Sequence, residues 1–146
     1  NYDALQYIKE PSEVVQLQAV QENYLALRYI NEPSVAVLEA AVKQDPQAMR
    51  QITNLSKELA LYLFKVSAPI LGYIPNTLGV TVDEIKAIIV EAISSDNIDA
   101  DYVRELINNK AIGGRQSKWP IDLLSLIDAY GTRAVKKIAV GEYLKY

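Results

Sequence analysis

The amino-acid sequence predicts an all-α protein: stacked short helix pairs, repeating every 22 residues, followed by a small C-terminal helical bundle. Three observations lead there. A gapless internal repeat fills the first third of the chain. Apolar residues recur at helical spacing through most of the rest, and no run alternates convincingly at the two-residue period of a half-buried strand. Half of the 146 residues are hydrophobic and 23% are charged. That supplies a packed core and argues against disorder along the whole chain. The expected organisation is a repeat region over 1–66, a linker loop over 67–80 and a bundle over 81–146.

In the repeat region, Tyr2-Asp3-Ala4-Leu5-Gln6-Tyr7-Ile8-Lys9-Glu10-Pro11-Ser12 aligns with Tyr24-Leu25-Ala26-Leu27-Arg28-Tyr29-Ile30-Asn31-Glu32-Pro33-Ser34. The match continues through Val15/Val37, Ala19/Ala41 and Val20/Val42, giving eleven identities over 22 positions. Each unit reads as two short helices. Asn23 and Asp45 cap the first helix of the following unit, and Pro46 takes the favoured first helical position. Pro11 and Pro33 end the first helix, and Ser12 and Ser34 cap the second. Helices this short are marginal alone, so the units are expected to stack. A third, decaying copy starts at Ala48-Met49-Arg50-Gln51-Ile52 and keeps Ser56 but lacks the proline. The sequence therefore predicts one longer closing helix over roughly 46–66.

The pattern Ala-Leu-x-Tyr-Ile-x-x-Pro-Ser-x-x-Val-(x)3-Ala-Val resembles a short helical-repeat domain of unknown function found in proteins of tailed bacteriophages and giant viruses. The resemblance covers about residues 2–52. It implies a viral, phage-like origin and an all-helical interaction module. It carries over no catalytic residue.

Beyond the repeats, Ser67-Ala68-Pro69 and the stretch Gly72 to Gly79 signal loops. Thr81 and Glu84 have capping-box spacing and open a helix bearing Ile85, Ile88, Ile89 and Ile93. Asp99 caps a helix with Val103, Leu106 and Ile107 inward, ended by Asn108-Asn109-Lys110. After a glycine-containing loop, Pro120 is placed at the first position of a helix over 121–130. Gly131 ends that helix as a C′ residue, and Thr132 caps the last helix.

The chain contains no cysteine and no histidine. That excludes disulfides, thiolate metal sites, Cys or His nucleophiles and imidazole bases. No cofactor is expected. The acidic loop Asp96-Asn97-Ile98-Asp99-Ala100-Asp101 fails as a calcium loop, because Ile98 and Ile107 fall where oxygen ligands belong. Fifteen basic against eighteen acidic residues give a net charge of −3. The distribution is uneven: residues 74–109 carry seven acids and two bases, residues 110–146 three acids and seven bases. The start at Asn1 shows no signal-peptide pattern, and the most apolar stretch, Leu59 to Ile74, is shorter than the ~20 residues of a membrane span. A non-secreted protein of the host cytoplasm or the virion is expected.

Two sets of candidate binding residues follow. Ten tyrosines stand against one Phe and one Trp, and Tyr2, Tyr7, Tyr24 and Tyr29 fall in repeat register. They form either a core wall with hydroxyls at the surface or an exposed aromatic ladder that binds protein. The protein-binding set is Tyr7, Arg28, Tyr29 and Trp119, the last being either a core plug or an exposed anchor. The basic set is Arg115, Lys118, Arg133, Lys136 and Lys137. The reading is a non-catalytic protein–protein interaction module of phage origin, binding a host protein or a virion component. The alternative is a nucleic-acid-binding accessory protein using the basic C-terminal helices. A second copy of the chain is a further candidate partner, because the first unit has no evident polar cap.

Overall fold

The computed structural model describes residues 2–114 and 116–144. It is an all-α protein in two compact units, residues 1–75 and 76–146. The first unit is a strict 22-residue register. Short 3₁₀ segments occupy Tyr2–Tyr7, Tyr24–Tyr29, Pro46–Gln51 and Ala68–Tyr73, alternating with α1 (Glu13–Glu22), α2 (Val35–Gln44) and α3 (Lys57–Val66).

The caps explain the register. Asn23 and Asp45 side chains accept from the N–H groups of Leu25 and Gln47, each at 2.9 Å. An acceptor two residues upstream holds a tight turn. Bonds of i→i+3 type follow, such as Ala26 N–H to Asn23 O at 3.0 Å and Ile30 N–H to Leu27 O at 3.2 Å. Each first segment is therefore 3₁₀ rather than α, and at six residues it is longer than the roughly three or four usual for that helix. Ser12, Ser34 and Ser56 then cap α1, α2 and α3 by accepting from Val15, Val37 and Leu59 at 3.3, 3.3 and 3.1 Å.

Two expectations for this unit need correction. Residues 46–66 are not one helix: Asn54 adopts φ 57°, a left-handed turn that no α-helix passes through, and Ser56 starts α3 afresh. Glu32 holds the same turn one unit earlier, at φ 50°. The stretch 67–80 is not simply a linker either. Ala68–Tyr73 buries Ala68, Ile70 and Leu71 against the third unit and forms the first half of a fourth.

The buried positions repeat with the backbone. Leu5, Leu27, Met49 and Leu71 are all buried, as are Val20, Val42 and Phe64. The first unit differs at one face. Val15 is 39% exposed, whereas Val37 in the same position is 0% exposed between two neighbours.

The second unit is built from α4 (Val82–Ser94), α5 (Ala100–Ile107), the two-residue strands β1 (Ile112–Gly113) and β2 (Trp119–Pro120), α6 (Leu123–Tyr130) and α7 (Arg133–Tyr143). The Thr81–Glu84 capping box forms with both of its bonds, at 2.9 and 3.1 Å. Asp99 and Thr132 cap α5 and α7 as the sequence indicates. Packing joins elements distant in the chain: α5 lies on α7 and α4 on α6. The Thr132 N–H also donates to the Ile93 carbonyl at 3.0 Å, fixing the start of α7 to the end of α4.

Pro120 does not open a helix. It pairs in β2 with Gly113, while Trp119 pairs with Ile112 in parallel register. The helix starts later, at Leu123, because Asp122 accepts from Ser125 N–H at 3.1 Å and from its hydroxyl at 2.7 Å. Gly131 ends α6, as the sequence indicates, in extended backbone. Its glycine is needed for closeness: a Cβ there would lie 2.5 Å from the Ile127 carbonyl oxygen. Among the described residues, no helix is long and apolar enough to cross a membrane.

Candidate functional site

The repeat edge gathers one group of the candidate residues. Tyr7 ends the first 3₁₀ segment and is 83% exposed. Tyr29, in the same position of the second unit, is half-buried. Arg28 is exposed, and its Nε donates to Gln51 Oε1 of the third unit at 3.2 Å. One repeat on, the Arg50 guanidinium lies 5.2 Å from the centre of the Tyr73 ring, a cation–π distance. The link from an arginine to the residue 23 positions later thus recurs with the repeat. It runs along one edge of the stack.

Beside this edge, the turns of the second and third units enclose a groove of about 760 Å³. Ile30, Val35 and Leu59 supply apolar walls, and Arg28, Arg50 and Glu32 supply charge. The left-handed turns at Glu32 and Asn54, each between a 3₁₀ segment and the next α-helix, both line it. Its chemistry combines apolar walls with guanidinium donors of the kind that pair with carboxylates or carbonyls.

Trp119 leaves the protein-binding set. It is 4% exposed and fills the core of the second unit, so its indole is a plug and not a contact anchor. The reason is the β1–β2 pairing, which turns the residue inward where a loop was expected. Lys118 is exposed above that ring, with Nζ 6.0 Å from its centre. Arg115 lies outside the described residues, as does the side chain of Tyr2. Arg133, Lys136 and Lys137 are brought together on the exposed face of α7.

The titrating groups with shifted behaviour lie elsewhere. Glu105 is exposed, and partial desolvation, then the Asp99 and Asp101 carboxylates, raise its carboxyl. Burial raises Tyr102 strongly, with Glu105 and Asp99 adding to it. On the outer face of α2 and α3, the Tyr62 hydroxyl donates to Glu39 at 2.7 Å, and that bond raises its pKa. These groups flank helix caps and core; no cluster of three potential metal ligands occurs among the described residues.

Sequence reasoning missed Arg50, Ile52 and Tyr73 as edge residues, because the third unit lacks the proline and the tyrosine that mark the first two. The signal was present at the cap positions: Asn23, Asp45 and Ser67 keep the 22-residue offset, although Ser67 makes no side-chain capping bond. Together, fold and edge define a class, an all-α helical-repeat protein with a grooved repeat edge. Comparison with known proteins finds no matching family model, no matching curated protein and no matching solved structure.

Proposed function

We propose that this chain is a non-catalytic protein-interaction module, encoded by a bacteriophage, that binds a host protein or a virion component through the edge of its repeat stack. The observation that carries the reading is the 760 Å³ groove between the second and third units, with Arg28 and Arg50 in its lining. Tyr7 and Tyr29 extend the same row of positions toward the first unit. The viral origin, and a place in the host cytoplasm or the virion, rest on the resemblance of the repeated Tyr-Ile-x-x-Pro-Ser motif. The non-catalytic reading rests on a sequence without cysteine or histidine.

The test is affinity capture from a bacterial lysate on the immobilised chain, with and without nuclease. It is repeated with Arg28→Glu/Arg50→Glu, two exposed positions whose exchange leaves the core intact. The expected result is one protein, recovered with or without nuclease and lost with the double variant. Recovery of nucleic acid, or of proteins lost on nuclease treatment, moves the function to the basic α7 face. Binding there would weaken steeply with salt as counterions are released.

A further inference from the structure

The α6–α7 face of the second unit carries large apolar side chains in water. Leu124, Val140 and Leu144 are 55%, 59% and 80% exposed, and Tyr143 stands beside them. They border a groove of about 430 Å³ between the two helices, with Ile127 and Ala139 in its lining. Scattered surface leucines need no explanation, but a contiguous apolar groove does.

The charges beside it identify what fits. Arg133, Lys136, Lys137, Val140 and Leu144 follow i, i+3, i+4, i+7, i+11 spacing, so they form one stripe along α7. The stripe is basic in its first half and apolar in its second. It runs for about 16 Å at the helical rise per residue. Glu142, the one acidic residue of α7, is buried and accepts from Asn108 Nδ2 at 3.4 Å, so it does not neutralise the stripe. Three bases in the first half of α7 also oppose the helix dipole, where α4 and α5 place acids. Local helix stability therefore does not account for their position.

We propose that this groove docks an amphipathic helix bearing acidic residues, supplied by a partner protein. Its apolar side chains, at i, i+3, i+4 and i+7, seat between Leu124, Val140 and Leu144. Carboxylates on its flank meet Arg133, Lys136 and Lys137. A helix laid in a groove is an established mode of recognition, and about three turns match the length of the stripe. An anionic lipid surface fits less well. The site is a concave groove between two helices, which a flat headgroup layer fills less well than a helix does; Asp128 in its lining repels either anion and is outnumbered by Arg133, Lys136 and Lys137.

The experiment is a binding titration on the full chain, read by backbone amide shifts. It uses three probes: a designed 14-residue helical peptide with a leucine stripe flanked by glutamates, the same peptide with lysines for the glutamates, and vesicles of phosphatidylglycerol. The expected result is saturable binding of the glutamate peptide with shifts centred on α6 and α7. The lysine peptide should bind at least about tenfold more weakly, a difference of some 1.4 kcal/mol. Val140→Asp should weaken the glutamate peptide about tenfold or more, and Lys136→Glu/Lys137→Glu should reverse the peptide preference. Arg28→Glu/Arg50→Glu should leave all of this unchanged. Equal binding of both peptides, no binding of either, or binding to vesicles alone would overturn the proposal. All the substituted side chains are exposed, and the amide spectrum of each variant reports directly on its fold.

Discussion

Val37 and Val135 are both fully buried, but different things bury them. Val37 lies between sequence neighbours one repeat away. Val15, the same position with only the following unit to pack on, is 39% exposed. Val135 lies in α7, whose packing partner α5 comes from much earlier in the second unit. The Thr132–Ile93 bond closes that arrangement across two intervening helices. The stack is therefore held by nearest-neighbour interfaces and the second unit by long-range closure. The first kind of architecture loosens piece by piece, while the second opens as a whole.

Substitutions can break this contrast. The largest effect belongs to Trp119→Ala, with a loss of about 3–5 kcal/mol as for other large aromatics in cores. Amide spectra should then show α4 to α7 lost together while the repeat unit keeps its signals. Leu27→Ala, costing about 2–5 kcal/mol, should instead loosen the first and second units more than the third. Gly131→Ala comes next. Its Cβ meets a backbone carbonyl at 2.5 Å, and chemical denaturation should show the second unit weakened by about 1–3 kcal/mol, as for other forced overpacking.

A smaller, opposite effect sharpens the account of the turns. Glu32 holds a left-handed conformation that Asn54 holds one repeat later. Asparagine tolerates that region better, so Glu32→Asn should stabilise the stack by up to about 1 kcal/mol. A loss of melting temperature would contradict the strain argument. The smallest effect is electrostatic. The exposed Glu105 carboxyl is raised in the folded protein, first by partial desolvation and then by Asp99 and Asp101. A raised carboxyl binds its proton more tightly when folded, so its ionised form opposes folding above that folded pKa. Glu105→Gln should therefore raise the melting temperature of the second unit at neutral pH. The gain should vanish as the pH falls through the carboxylate range, about 4.

Much of the stack was legible in the sequence because its caps are local. Asn23, Asp45, Ser12 and Ser34 each act on backbone two or three residues away, and the structure places them so. What escaped was information carried by register alone. Asn54 makes the left-handed turn that Glu32 makes one unit earlier, but without a proline after it, so the third unit reads as a helix. Ala68–Tyr73 looks like a loop because of Pro69 and Gly72, although it repeats the pattern of residues 24–29. In the second unit, the inward turn of Trp119 depends on pairing with Ile112 across a loop. No local pattern encodes such a contact. The same holds for the repeat-edge groove: Arg28 was visible as a candidate, while its bond to Gln51 and the echo at Arg50–Tyr73 needed the stack.

The groove proposed for binding is framed by α2 and α3, the interior of the stack, and a firm binding surface requires that interior to be its most stable part. Native-state hydrogen exchange on the full chain, resolved by segment, measures this directly. The account predicts that α1 exchanges at a lower opening free energy than α2 and α3, while α4 to α7 share a single, common opening. An α1 as well protected as α2, or a second unit that opens helix by helix, would contradict it.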